Sequence, residues 1–181
     1  MVLNIFTKLL NLIYSRYLKF YYRSFTIDLN ARVDYRCEIL YKSNITLNRD
    51  CILYKCVTIY KHKEGCFTLG ASSHIAPYGY LLIEKQNLHI GDNVAIGPFC
   101  SIFCSSNDIP ADKDILFKDS YKKADVNIGS NVFIGAQCVI LPGTRIGDNV
   151  VVAAHSTVKG ELEEGYLYAG NPAVKIKKVY T

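Results

Sequence analysis

A branched aliphatic residue recurs at every sixth position over most of this chain. The series reads Ile27, Val33, Ile39 and Ile45, then Val57, Leu69, Ile75 and Leu81. After a short slip it resumes at Ile90, Ile96 and Ile102, and after a longer break at Ile128, Ile134, Ile140, Ile146, Val152 and Val158. A period of six matches neither the 3.6-residue turn of a helix nor the two-residue alternation of a strand. It predicts a prism of short parallel strands, in which each hexapeptide forms one flat side. Three sides close one coil, so residues three hexapeptides apart stack: Ile128 on Ile146, Ile134 on Val152, Ile140 on Val158. The coil spacing expected is that of hydrogen-bonded strands, about 4.8 Å.

The residues between the aliphatics fit corners. Gly91, Gly97, Gly129, Gly135 and Gly147 each follow an aliphatic directly, and Asn93, Asn131 and Asn149 come two residues later. Both types tolerate tight backbone. Four residues after an aliphatic lies a small apolar slot, filled by Val94, Val132 and Val150, and by Cys37, Cys100 and Cys138. These cysteines therefore read as small core residues and not as a disulfide framework. With no CxxC pair among the seven, a reducing cytoplasm is the simpler setting.

Three segments stand outside the rhythm. Residues 1–26 carry many aliphatic and aromatic side chains but only Lys8, Arg16, Lys19 and Arg23 as charges. They predict an amphipathic helix that caps the open end of the prism. The same basic, aromatic composition suits contact with an anionic membrane surface, but no unbroken apolar run is long enough for a span. Within the repeat, 27–160, the polar stretch 105–125 predicts a loop extruded from one corner, where function often sits. A C-terminal tail, 161–181, leaves the repeat through a GNPA turn at Gly170–Ala173.

Half of the residues are hydrophobic and a fifth charged, so the chain is globular. Its formal net charge of +5 is mild and forms no basic stripe, which argues against nucleic acid as a partner.

The segments HIGDNVAIGP (89–98), VNIGSNVFIGAQCVILPGTRIGDNVVVAAHS (126–156) and YAGNPAVKIKK (168–178), in this order and with a long loop between the first two, resemble the hexapeptide-repeat acyltransferases. The similarity is strongest to the sugar and polysaccharide O-acetyltransferases. It implies an all-β fold, a left-handed parallel β-helix, where general topology would favour right-handed crossovers. It also implies acetyl-CoA as co-substrate without a metal, a homotrimer, and a sugar or glycan acceptor bound in grooves between subunits. On the matching positions, Gly135, Ala136, Ala153 and Ala154 would let the CoA arm approach the backbone, with His155 beside that track and Lys177 and Lys178 toward its phosphates. Small residues that merely satisfy corner geometry are the alternative reading.

The resemblance also expects a histidine early in the long loop, as base for the acceptor hydroxyl. From Phe103 to Asn127 there is none; Ser106-Asn107-Asp108-Ile109 stands in its place. Asp108 could serve if burial raised its proton affinity. A histidine from elsewhere in a trimer could enter the groove, or the acceptor could be an amine. His74, framed in sequence by Tyr78 and Tyr80, ranks first as catalytic candidate and Asp108 second, with Asn107, Tyr78 and Tyr80 as acceptor-binding residues. His62 and His89 read as surface. The four histidines lack the spacing of a zinc site. N-acetylation of an amino sugar and a non-catalytic trimeric scaffold are the competing functions.

Overall fold

The structure, a computed structural model, describes residues 2–180. Three parallel sheets form the sides of a prism. Sheet A holds seven strands, sheet B eight and sheet C six. The chain visits A, B and C in turn. Its six full coils start on sheet A at Phe25–Ile27, Ile45–Leu47, Cys66–Leu69, Asn87–Ile90, Val126–Ile128 and Arg145–Ile146. Alternation along each strand sends one residue inward and the next outward. The inward columns Ile27-Leu47-Leu69-Ile90-Ile128-Ile146, Val33-Leu53-Ile75-Ile96-Ile134-Val152 and Ile39-Ile59-Leu81-Ile102-Ile140-Val158 are buried throughout. Each such side chain contributes about 1.5–3 kcal/mol by leaving water.

From residue 126 onward the predicted stacking is observed pair for pair: Ile128 with Ile146, Ile134 with Val152, Ile140 with Val158. Nearer the N-terminus the phase differs. Ile27 pairs with Leu47, not Ile45, and Ile39 with Ile59, not Val57. Ile45, Cys51 and Val57 instead fill the small inward slot two residues earlier, with Val94, Val132 and Val150. The reason is that coils differ in length at one place only, the corner from sheet C to sheet A. Extra residues there carry the chain from Ile39 to Leu47, from Ile59 to Leu69 and from Leu81 to Ile90. The segment between Ile102 and Ile128 is the longest of this stacked series. The corner from A to B has constant length. It is turned by Asn30, Asp50, Ser72, Asn93, Asn131 and Asn149, all with φ between 55 and 59°. Asparagine and aspartate enter this left-handed region more readily than other non-glycine residues.

Cys37, Cys100 and Cys138 point into the prism, and their thiols donate to carbonyls of Tyr54, Gly135 and Ala153 at 3.0–3.1 Å. All seven cysteines are free. Burial pushes the Cys37, Cys51 and Cys104 thiols up to about 12, so they stay protonated and inert.

Helix α1, Val2–Tyr21, lies across the first coil. It meets that coil through polar groups as well as apolar ones. Ser15 Oγ accepts from the Val33 backbone N–H at 3.1 Å, and Asn11 Oδ1 from that of Tyr35 at 2.9 Å. Asn11 Nδ2 donates to Asp34 at 3.2 Å, while Leu18 is fully buried. These are the donors that an open sheet edge would leave unpaired. At the other end the coil runs on past residue 160. Glu161–Leu162 pairs with sheet A and Tyr166–Gly170 with sheet B, before Ala173–Lys178 folds back antiparallel.

Candidate functional site

The corner from sheet B to sheet C carries the clearest built feature. Its first position holds Gly97, Gly135 and Ala153 in successive coils, and its second holds Pro98, Ala136 and Ala154. The coils approach so closely that a Cβ on Gly135 would lie 2.4 Å from the Ala154 nitrogen. Glycine at 135 is therefore required by the fold itself, whatever binds outside. The second position has a separate property. Among the described residues no backbone N–H of Lys55, Ala136 or Ala154 donates to another group, and Pro77 and Pro98 have none to give. Ala136 and Ala154 thus present two unpaired donors one coil apart, about 4.8 Å, flanked by methyl groups only. His155 follows, exposed, at φ 59° in the same column as Tyr78, Phe99 and Gln137.

His74 opens its strand on the outer face of sheet B, between Ile52 and Ala95 of the adjoining coils. It is half-buried, and that burial holds its imidazole below the ordinary histidine value, so the ring is neutral at pH 7. Its aromatic neighbour is Tyr54 from the coil before, edge-on at 5.8 Å. Tyr78 instead stacks on Phe99, with ring centroids 5.0 Å apart and planes 1° from parallel, under Lys55. Tyr80 sits on sheet C against Phe103. The sequence framing of His74 by Tyr78 and Tyr80 thus gives way to Tyr54. That contact was hidden because the coil containing Tyr54 is longer than three hexapeptides.

The 105–125 segment is a hairpin. Ser105–Asn107 pairs antiparallel with Tyr121–Lys123 around a short 3₁₀ turn at Phe117–Asp119. Its base is pinned to the prism: Asp125 accepts from the Asn87 backbone and side chain at 2.8 and 3.0 Å, and Lys123 pairs with Glu84 at 3.2 Å. Asn107 spends its amide N–H groups on the Phe117 and Ser120 carbonyls. Asp108 is exposed and accepts the N–H of Ile109. The burial that a carboxylate base needs is not supplied within one chain. Beyond it Ile109, Leu116 and Phe117 are all exposed.

The hairpin leaves the C-to-A corner, the vertex opposite sheet B. One chain therefore does not bring Asp108 to His74. Lys177 and Lys178 stand exposed on the strand that folds back along sheet B, paired in register with Leu167 and Tyr166 and without ion pairs among the described residues. Lys175 differs, being tied to Glu163 and lying 4.1 Å over the Tyr166 ring. His62, His89, His74 and His155 occupy four separate places on the prism, and no metal-binding cluster of three such groups occurs among the described residues.

Comparison with known proteins agrees with this geometry. The family description "Bacterial transferase hexapeptide (six repeats)" matches residues 125–160. The galactoside O-acetyltransferase of Escherichia coli K12 is 30% identical over 118 residues, covering 62% of this chain and 57% of that protein. The E. coli K12 protein named "Putative lipopolysaccharide biosynthesis O-acetyl transferase WbbJ" is 30% identical over 149 residues, 82% of this chain and 58% of its own length. The chain therefore spans somewhat more than half the length of these relatives. Among solved structures, a point mutant of the N-acyltransferase AntD from Bacillus cereus, in complex with dTDP and coenzyme A, superposes with a TM-score of 0.75 at 25% identity, over 84% of this chain and 83% of that one. By its repeat, its coil and these likenesses, the chain resembles the hexapeptide-repeat acyltransferases and has their left-handed parallel β-helix fold.

Proposed function

We propose that the protein transfers an acetyl group from acetyl-CoA to a sugar hydroxyl, on a surface-polysaccharide or other glycan component, as a cytoplasmic homotrimer. The observation that carries this reading is the B-to-C corner at Gly135-Ala136 and Ala153-Ala154. Two unpaired N–H groups one coil apart suit the amide carbonyls of an extended pantetheine arm, and the absence of side chains beyond methyl gives it room. His155 at the end of that strip offers a donor for the phosphates, whereas Lys177 and Lys178, in register with Leu167 and Tyr166, hold their charge toward the other end of sheet B. The names of relatives acting on galactoside and lipopolysaccharide, and the coenzyme A in the AntD structure, support the same assignment.

In the reaction, neutral His74 would take the hydroxyl proton as the sugar oxygen attacks the thioester carbonyl. The C–S bond then breaks, and the imidazolium returns the proton to the leaving thiolate, giving the sugar ester and free CoA. Phe99 and Lys55 cover the faces of Tyr78, and Tyr80 lies on sheet C, so Tyr54 beside His74 is the aromatic surface placed to meet a sugar ring. Because one chain leaves Asp108 and Asn107 at the opposite vertex, the reading needs a second copy to bring its hairpin beside sheet B. The exposed Ile109, Leu116 and Phe117 give that hairpin an apolar surface to bury.

Acetylation of an amino sugar is the second reading. It is favoured by the absence of any histidine between Phe103 and Asn127 and by the likeness to an N-acyltransferase. An assay of thiol release from acetyl-CoA, with galactosides, maltose and amino sugars offered in parallel, separates the two. Hydroxyl acceptors are expected to turn over. Turnover of amino sugars alone would select the second reading, and no binding of acetyl-CoA would reject both.

A further inference from the structure

Helix α1 has its polarity inverted for a surface helix. At 3.6 residues per turn, Asn11, Ser15, Leu18 and Tyr22 share the side that meets the prism, where Asn11 and Ser15 serve backbone donors. The opposite side, farthest from the protein, carries Ile5, Phe6, Leu9, Ile13 and Phe20. Phe20 is 86% exposed, Ile5 63% and Ile13 55%. A globular protein ordinarily turns such residues inward and charges outward.

The charges fall on the flank between this apolar stripe and the prism-facing side. Lys8, Arg16 and Lys19 line it, Arg23 follows the helix, and none makes an ion pair among the described residues. No acidic residue occurs before Asp28. No helix here is long and apolar enough to cross a membrane. Arg16 and Lys19 share a cavity with Asp28 and Asp50 without a direct ion pair, and an exposed apolar and aromatic stripe flanked by such cations matches the boundary between acyl chains and anionic headgroups. A second copy of the same stripe would bring its cations against these, whereas anionic lipid complements them.

We propose that the outward face of α1 docks the protein onto an anionic bilayer surface, with Leu9, Ile13 and Phe20 inserted at the headgroup level and Lys8, Arg16 and Lys19 on the phosphates. This docking is independent of the acetyl-transfer reading. The hairpin leaves the fourth coil, three coil spacings or about 15 Å from the first, so a docked protein would hold it near acceptors carried on lipid.

The test sediments the full chain with vesicles of equal parts phosphatidylglycerol and phosphatidylcholine, and with phosphatidylcholine alone, at low and high salt. Expected is partition onto the anionic vesicles that falls with salt, and little onto neutral ones. The variant Leu9→Gln/Ile13→Gln/Phe20→Gln keeps a helix-favouring sequence and alters only exposed side chains. It should melt as the parent does and lose at least about a hundredfold in partition. Lys8→Glu/Lys19→Glu should lose about tenfold or more. Absence of partition by the unaltered chain, or partition unchanged in the triple variant, overturns the proposal. So does a lipid-free assembly of the parent that the triple variant loses without any vesicle binding, which would make a second copy the occupant.

Discussion

Gly135 shows how one position answers to fold and site at once. Its missing Cβ lets the next coil close, since that atom would sit 2.4 Å from backbone. Gly135→Ala should therefore cost about 1–3 kcal/mol as an overpacked interior position, read as a lowered urea midpoint. Ala154 is exposed on the outside of the same corner, so Ala154→Arg should leave stability within about 0.5 kcal/mol while weakening acetyl-CoA binding in calorimetry. Equal loss of stability in both variants would mean that the corner is only structural. His74 makes a different prediction. Its depressed pKa means that the unfolded chain binds the proton more readily than the folded one. Stability should therefore be undiminished above about pH 6.5 and decline as the pH falls below it, and His74→Phe should remove that slope. If His74 is the base, the acid limb of kcat/KM lies below pH 6.5 for the same reason, and His74→Ala lowers kcat by about 10²–10⁴-fold. Unaltered turnover in this variant would exclude it.

At the scale of elements, α1 and the hairpin are both held by side chains that satisfy backbone. Ser15→Ala would leave the buried Val33 N–H without its acceptor, a cost of about 1–3 kcal/mol, measurable by denaturant unfolding of the full chain. A loss below a few tenths would mean that water replaces the hydroxyl and that the cap is looser than the geometry indicates. How far such features were legible in the sequence varied with how local their causes are. The inward slots of Cys37, Cys100 and Cys138 follow from spacing alone and are observed. The six-residue period places Ile45 and Val57 in columns that Leu47 and Ile59 occupy, because nothing in a one-dimensional period announces extra residues at a corner. The same two-residue shift hides Tyr54 as the neighbour of His74. The hexapeptide period ends the repeat at 160, whereas Glu161–Leu162 and Tyr166–Gly170 continue two sides of the prism. The sides continue without glycine-asparagine corners, so the sequence signal stops before the structure does.

At the scale of the molecule, His74 and Asp108 stand at opposite parts of one prism, and a shared site requires another copy. Two inactive variants should then complement: His74→Ala and Asp108→Ala, unfolded together and reassembled, are expected to recover a fraction of the parental turnover, with sedimentation giving the mass of three chains. Recovery of none, with mixed assemblies present, would mean that the two residues do not meet across subunits. The sequence by itself determined the interior. A six-residue period, small inward slots and asparagine corners depend only on local alternation and backbone preference, and they specify a stacked parallel coil. Only the tertiary structure decided what lies across from what. Coil length at the C-to-A corner, the partner of His74, the vertex from which the hairpin leaves and the side of α1 that faces out all depend on pairing between distant residues. For α1 the physical reason is plain. The open end of the prism offers unpaired backbone donors, so it takes Asn11 and Ser15 beside Leu18 and leaves most of the helix's apolar residues outward.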